Sequence, residues 1–154
     1  MIKIRLYKKS DQVEIDKMID SIATEFELPI SNPNKANFPL LDKYWVSLHN
    51  NEIIGTIGVL KIEGEFSILK KMFVKREYRG KEYRIASLLL NKVFDWCDSQ
   101  SIDTIYLGTM SQFKAAHKFY EKNGFETISI NKLPSSFVTN PIDDIFYKKH
   151  IEKY

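Results

Sequence analysis

Residues 66–107 commit this chain to a sheet with a helix crossing one of its faces. Phe66–Val74 is a mostly apolar run of strand length. Ile85–Cys97 carries apolar residues at 85, 86, 89, 90, 93, 94 and 97, which line one face of a helix. Thr104–Leu107 is a second, shorter strand-like run. Strand, amphipathic helix and strand in that order make a β-α-β unit, whose crossover sets its two strands parallel. Between the first strand and the helix lies a basic loop.

The flanking segments predict the rest of a mixed sheet. Ile2, Ile4 and Leu6 alternate with Lys3 and Arg5, the pattern of a half-buried first strand. Ser10 and Asp11 are N-cap residues for a helix with apolar positions Val13, Ile15, Met18, Ile19 and Ile22, fading near Phe26. Residues 27–42 hold Pro29, Pro33 and Pro39 and read as a long loop of the kind that often carries function. Tyr44–His49 and Ile53–Lys61 flank Asn50-Asn51, a hairpin turn, and Glu63-Gly64 turns the chain into Phe66–Val74. These three runs predict an antiparallel meander. Phe113–Asn123 is a further helix, with Gly124 at the left-handed position after its end and Phe125 packing back on it. Phe125–Ile130 and Asp144–Tyr147 close the chain as strands around a Pro134–Pro141 loop. The class is α/β or α+β, a mixed sheet with helices on its faces, and residues 1–154 read as one domain.

Composition narrows the function classes. Apolar residues make up 44% and charged residues 28%, the balance of an ordinary globular protein. The first residues are strand-like and charged rather than signal-like, and no apolar run approaches membrane-spanning length. Cys97 is the single cysteine, so neither an internal disulfide nor a cysteine-rich metal site can form. These features predict a cytoplasmic protein with no metal and no membrane partner. The net charge of +3 is too small to imply nucleic acid. Its distribution is uneven: residues 70–84 carry seven cations against Glu77 and Glu82. A basic loop running into a helix aims backbone N–H groups and cationic side chains at one point, which suits a pyrophosphate. The loop has one glycine, Gly80, so neither a G-x-G-x-x-G fingerprint nor a P-loop is present.

Two blocks carry a resemblance. Met72-Phe73-Val74-Lys75-Arg76-Glu77-Tyr78-Arg79-Gly80-Lys81 and Ala116-His117-Lys118-Phe119-Tyr120-Glu121-Lys122-Asn123-Gly124-Phe125 resemble the acetyl-CoA motif and the A-x-x-x-Y-x-x-x-G-F block of the GNAT superfamily of N-acetyltransferases. They stand in that family's order and at about its spacing, and the element order matches along nearly the whole chain. Lys-Met-Phe-Val, Tyr-Leu-Gly-Thr and Phe-Lys-Ala-Ala-His are similar to stretches of its bacterial members. The resemblance implies a mixed, mostly antiparallel sheet with helices on both faces and a splayed central strand pair. It implies transfer of an acetyl group from acetyl-CoA directly to a primary amine of a small-molecule or peptide acceptor, by a monomer or a homodimer.

The resemblance also assigns roles, each with a physical reason. Met72, Phe73 and Val74 lie on the splayed strand edge, whose unpaired backbone groups can bind the pantetheine amides as an added strand would. A backbone N–H near Met72 stabilises the oxyanion of the reacting thioester. The loop Arg79, Gly80, Lys81, Glu82, Tyr83, Arg84, Ile85 and Ala86 wraps the pyrophosphate at the helix start. Tyr120 is the general acid for the leaving thiolate; taken alone, the same tyrosine is an ordinary core aromatic.

Three positions depart from the pattern. The family's R/Q-x-x-G-x-G/A aligns with Lys81-Glu82-Tyr83-Arg84-Ile85-Ala86, so Arg84 replaces a glycine and is expected to add a charge-assisted phosphate contact. Phe113 stands where many members have asparagine and would pack on the cofactor instead of hydrogen-bonding it. No base is evident: strict alternation puts Ile68, Lys70 and Met72 on the side of Val74, and none is acidic. Glu25, Glu27, Glu63 and Glu65 are more distant options. The alternative function is a non-catalytic acyl-CoA sensor or interaction domain, and a basic patch for nucleic acid ranks last. Of the other reactive types, His117 with Glu121 lacks a third metal ligand, His49 and His150 read as structural, and Cys97 as core. Phe26, Phe38, Tyr44 and Trp45 fit an acceptor pocket or the core equally.

Overall fold

The computed structural model describes residues 1–31, 41–62 and 66–151. Seven strands form one sheet among these residues: β1 (Ile2–Leu6), β2 (Lys43–His49), β3 (Glu52–Ile62), β4 (Phe66–Val74), β5 (Thr104–Thr109), β6 (Glu126–Ile128) and β7 (Ile145–His150). Their order is β1-β2-β3-β4-β5-β7-β6. Only β4 and β5 are parallel. Among the described residues three α-helices accompany them: α1 (Gln12–Ala23), α2 (Ile85–Ser99) and α3 (Lys114–Lys122).

The hydrophobic patterns explain the layers. On one face α2 buries Leu89, Leu90, Val93 and Cys97 against Ile57, Val59, Leu69, Ile105 and Leu107. On the other, Ile15, Met18 and Ile22 of α1 pack on Val46 and Ile53. A third cluster, Phe66, Ile68, Tyr106, Phe137 and Phe146, covers the far end of that second face. The Asn50-Asn51 turn has φ of 51° and 67°, the left-handed pair that matches the twist of a two-residue hairpin. Gly124 has φ of 88°, and Phe125 donates its N–H to the Tyr120 carbonyl at 3.0 Å, closing α3 as its sequence predicts.

Several local expectations need correction. Val13 is 67% exposed, because it stands about 200° from Ile15 around the helix and so off the buried stripe. Leu6, at the end of edge strand β1, is 49% exposed. Asp11 does not cap α1 through its side chain. Its carboxylate accepts from the Lys8 N–H at 2.8 Å and from both terminal nitrogens of Arg5 at 2.8 and 2.9 Å. That pairing holds the Asp11 carboxyl below its ordinary range and ties β1 to the start of α1. The Glu63-Gly64 turn, Glu65, Pro33, Phe38, Pro39 and Lys153 lie outside the described residues.

The sheet splits at its centre. β4 and β5 pair only through Ser67 with Ile105 and Ile68 with Tyr106. Beyond that point β4 stays with β3 as far as Val74, while β5 stays with β7 as far as Thr109. A bulge helps to turn β4 away. Lys71 and Met72 together oppose Ile57, and Lys71 has φ of 54°. The Thr56 hydroxyl donates to the Lys71 carbonyl at 2.7 Å and holds the bulge.

Candidate active site

The fork between β4 and β5 opens into a cleft of about 1420 Å³. That exceeds the usual range of a single small-ligand pocket, roughly 300–1,000 Å³, and leaves room for two substrates. Leu69 to Val74 form one wall and Leu107 to Met110 the other. The β4 edge toward β5 has no strand partner after Ile68, so an extended ligand can lie along it as an added strand would.

The bulge changes which side chains share a face. Strict alternation would put Lys70 with Met72 and Val74. Instead Met72 and Val74 pack on the α2 side, while Phe73 packs with the α1 cluster. Lys70 lies one residue before the bulge, on the face away from α2, and lines the cleft. The extra residue at Lys71 shifts the pleat by one position, a change that periodicity cannot anticipate.

At the open end of the fork stands the N-terminus of α2. Arg84 is its N-cap, in the left-handed conformation with φ of 55° and ψ of 33°. No side chain caps the helix, and its first turn contains no acid. The leading N–H groups of a fifteen-residue helix are therefore not satisfied by a side-chain cap, and Arg84, Ala86 and Ser87 line the cleft there. The left-handed backbone gives a physical reason for a glycine pattern at this position, and Arg84 adopts that backbone nonetheless. Gly80 has φ of 105° and supplies the preceding bend.

The other residues of the loop divide. Gly80 and Lys81 line the cleft. Arg79 also borders it, yet its guanidinium is engaged: it donates to the Val74 carbonyl at 2.8 Å and to both Glu25 oxygens at 2.5 and 3.0 Å. Glu25 is thereby committed to an ion pair. Glu82 is exposed, Tyr83 packs tilted against Tyr78 and His49, and Ile85, the first residue of α2, is buried in the core, so these three side chains lie away from the cleft. The His49 Nδ1 and the Tyr78 hydroxyl are 2.8 Å apart, which anchors the loop to the β2–β3 turn.

Tyr120 lines the cleft from α3 and is 5% exposed, with its ring against Phe125 and Tyr147. Burial, with Asp143 and Tyr147 nearby, raises its hydroxyl pKa far above that of a free tyrosine. The group stays protonated at neutral pH and is able to donate. Phe113, the N-cap of α3, lines the cleft edge-on to Phe26 at 4.9 Å between centroids. Tyr44 and Phe26 border the cleft, whereas Trp45 belongs to the core; Phe38 lies outside the described residues. His117 and Glu121 do not bond each other. The His117 ring meets the Met110 carbonyl at 2.8 Å, and Glu121 accepts from the Tyr147 hydroxyl at 2.7 Å. Burial raises the Cys97 thiol pKa, and its sulfur lies 3.4 Å from the Ser67 hydroxyl inside the core.

Sequence reasoning counted Lys70 only as one cation of a basic run and passed over Asp143. Lys70 and Asp143 both line the cleft and interact electrostatically across it. Burial lowers the Lys70 pKa and pushes the Asp143 carboxyl up to about 6. No motif surrounds either residue, and only the fold makes them neighbours.

A family model of the acetyltransferase (GNAT) domain matches residues 41–127. The chain belongs to the GNAT acetyltransferase family. A GNAT-family acetyltransferase from Staphylococcus aureus Mu50 is 36% identical, with a TM-score of 0.88 over 99% of this chain and 100% of that one. The PaiA N-acetyltransferase of Thermoplasma acidophilum, solved in complex with coenzyme A, shares the GNAT fold at 19% identity and a TM-score of 0.72, over 97% of this chain and 99% of that one. The probable N-acetyltransferase camello of Xenopus tropicalis is 28% identical over 95 residues, 60% of this chain. The matched region spans 42% of the length of that curated relative. The splayed strand pair and the mixed, mostly antiparallel sheet are those expected of the family. Among the described residues no helix is long and apolar enough to cross a membrane.

Proposed function

We propose that this GNAT protein transfers the acetyl group of acetyl-CoA directly to a primary amine, without a covalent enzyme intermediate. One observation carries the reading: the unpaired β4 edge and the uncapped N-terminus of α2 border the same cleft. Their separate demands are a strand-like amide chain and a pyrophosphate, and coenzyme A offers both.

In this reading Met72, Phe73 and Val74 hold the pantetheine amides through the β4 backbone. A backbone N–H near Met72 polarises the thioester carbonyl. Gly80, Lys81, Arg84 and Ala86, with Ser87, surround the phosphates. Arg79 supports the site by tying the end of β4 to Glu25 in the segment after α1, and Phe113 packs against the bound thioester arm. Tyr120 donates its proton to the departing thiolate. The acceptor is a small-molecule or peptide amine entering over the face that carries α1. Residues 1–154 act as one catalytic domain, as a monomer or a homodimer, without nucleic acid or a membrane. A cytoplasmic setting keeps Cys97 reduced.

Thiol release from acetyl-CoA in the presence of benzylamine, putrescine, glycinamide and lysine tests the proposal. Turnover is expected in the wild type, and Tyr120→Phe should lower kcat by roughly 10²-fold while acetyl-CoA binding measured by calorimetry persists. Tight binding with no turnover of any amine would instead identify a sensor.

A further inference from the structure

We propose that Asp143 receives the proton that the acceptor's ammonium group must lose before it attacks. This assignment rests on acetyl transfer to an amine as proposed above. An ammonium has no lone pair, so a proton acceptor must stand where nitrogen meets the acetyl carbon.

The position of Asp143 follows from the fork. The last paired residues are Ile68 and Tyr106, so Lys70 and Gly108 would face each other two steps on if the strands stayed together. A Cβ on Gly108 would lie 2.7 Å from Asp143 Oδ2 and 3.1 Å from the Phe146 ring. The carboxylate therefore rests on the bare backbone of β5, on the face away from α2. Lys70 looks into the same gap from β4. The loop is pinned on both sides of Asp143: its N–H donates to the Asn140 carbonyl at 2.9 Å, and the Asp144 N–H donates to the Thr109 carbonyl at 3.0 Å. Asp144 in turn accepts from the Ser111 N–H at 2.8 Å.

Three charged or titratable groups act on this site from neighbouring segments. Lys70 on β4 favours the carboxylate form of Asp143, Asp144 beside it opposes that form, and Tyr120 on α3 feels the Asp143 charge. Nitrogen and sulfur bond the same carbon in the reaction, so the base and the acid must stand within a few ångströms of one point. Asp143 and Tyr120 both line the cleft and interact electrostatically, Asp143 on the face away from α2 and Tyr120 in the cluster on the α2 face. The other acidic options are less suited. Asp16 accepts from Gln12 Nε2 at 2.8 Å on its own helix, Asp20 and Glu27 are exposed, Glu25 is paired with Arg79, and Glu63 and Glu65 lie outside the described residues.

The protons balance. One N–H proton of the ammonium passes to the Asp143 carboxylate and later to solvent. The freed nitrogen lone pair forms the C–N bond while the carbonyl π pair moves onto oxygen. The oxyanion then collapses, the C–S bond breaks with its electron pair going to sulfur, and Tyr120 protonates that sulfur. A second N–H proton leaves the new amide nitrogen and restores Tyr120, and the third remains on the amide.

The test compares wild type with Asp143→Asn, Asp143→Ala and Asp143→Glu, using acetyl-CoA and the four amines above from about pH 5 to 9. Wild-type kcat/KM should rise with slope one to a bend near pH 6, set by a carboxyl with a pKa of about 6. In Asp143→Asn kcat/KM should fall by roughly 10²- to 10⁴-fold at neutral pH, and the bend should vanish. The remaining rate should then climb toward the amine's own pKa. Formate should partly restore Asp143→Ala, and Asp143→Glu should regain part of the rate, neither of which a merely structural loss would allow. Carboxyl-carbon NMR of the ligand-free protein should show an aspartate titrating near pH 6 that is missing from Asp143→Asn. Wild-type rate and an unmoved bend in Asp143→Asn overturn the assignment, as does loss of acetyl-CoA binding in all three variants. A wild type that binds acetyl-CoA but turns over no amine overturns the transferase reading and this role with it.

Discussion

Replacing Asp143 with asparagine should stabilise the fold above pH 6 and leave it nearly unchanged near pH 4. The Asp143 carboxyl is moved from its ordinary 3.8 up to about 6, chiefly by burial. The folded chain thus holds this proton more tightly than the unfolded chain. Between those two values the folded state binds more protons, so stability falls as pH rises through the window. Below it both states are protonated and nothing is lost; above it the full penalty stands. About two pKa units correspond to roughly 3 kcal/mol. Two effects reduce what asparagine recovers. Asp143 is only partly buried, so solvent screens part of the charge, and Lys70 loses a partner. A net gain of about 1–2 kcal/mol near pH 8 is expected, raising Tm by roughly 2–8 °C for a domain of this size. Urea unfolding followed by tryptophan fluorescence at a series of pH values measures it directly. An equal gap at pH 4 and pH 8, or a less stable variant at pH 8, would refute the reasoning. Stability gained together with activity lost is the usual signature of a charge kept for function.

Other perturbations probe neighbouring features. Gly108→Ala puts a methyl 2.7 Å from Asp143 Oδ2, so kcat should drop while acetyl-CoA affinity measured by calorimetry stays unchanged. Arg84→Gly should stabilise the fold by about 1 kcal/mol of relieved left-handed strain, read as a higher urea midpoint, since Arg84 has φ of 55°. The same substitution should weaken acetyl-CoA binding if the guanidinium contacts phosphate, which calorimetry reads separately. Ser47→Ala should stabilise by about 1 kcal/mol in thermal unfolding, because Ser47 Oγ is buried without a hydrogen-bond partner among the described residues.

Much of this protein is written locally in its chain. The apolar run of β4, the helical stripe of α2 and the punctuation by Asn50-Asn51 and Gly124 each depend on residues a few positions apart. Such short-range preferences act before the chain is folded, which makes the β-α-β unit and the family blocks legible. Part of the cleft lining could be located in the same way: the strand end Met72–Val74, Gly80 and Tyr120 lie within those blocks, and Arg84 in the loop pattern just after the first. The tertiary structure decided the rest. Lys71 takes a left-handed conformation that few lysines adopt, and this single bulge moves Met72 away from the face of Lys70. β7 inserts between β5 and β6, and with that choice Asp143 comes to lie over Gly108. The Lys70–Asp143 encounter depends on sheet order and on where two strands part. Neither quantity has a local signature, because both are set by packing between segments far apart along the chain.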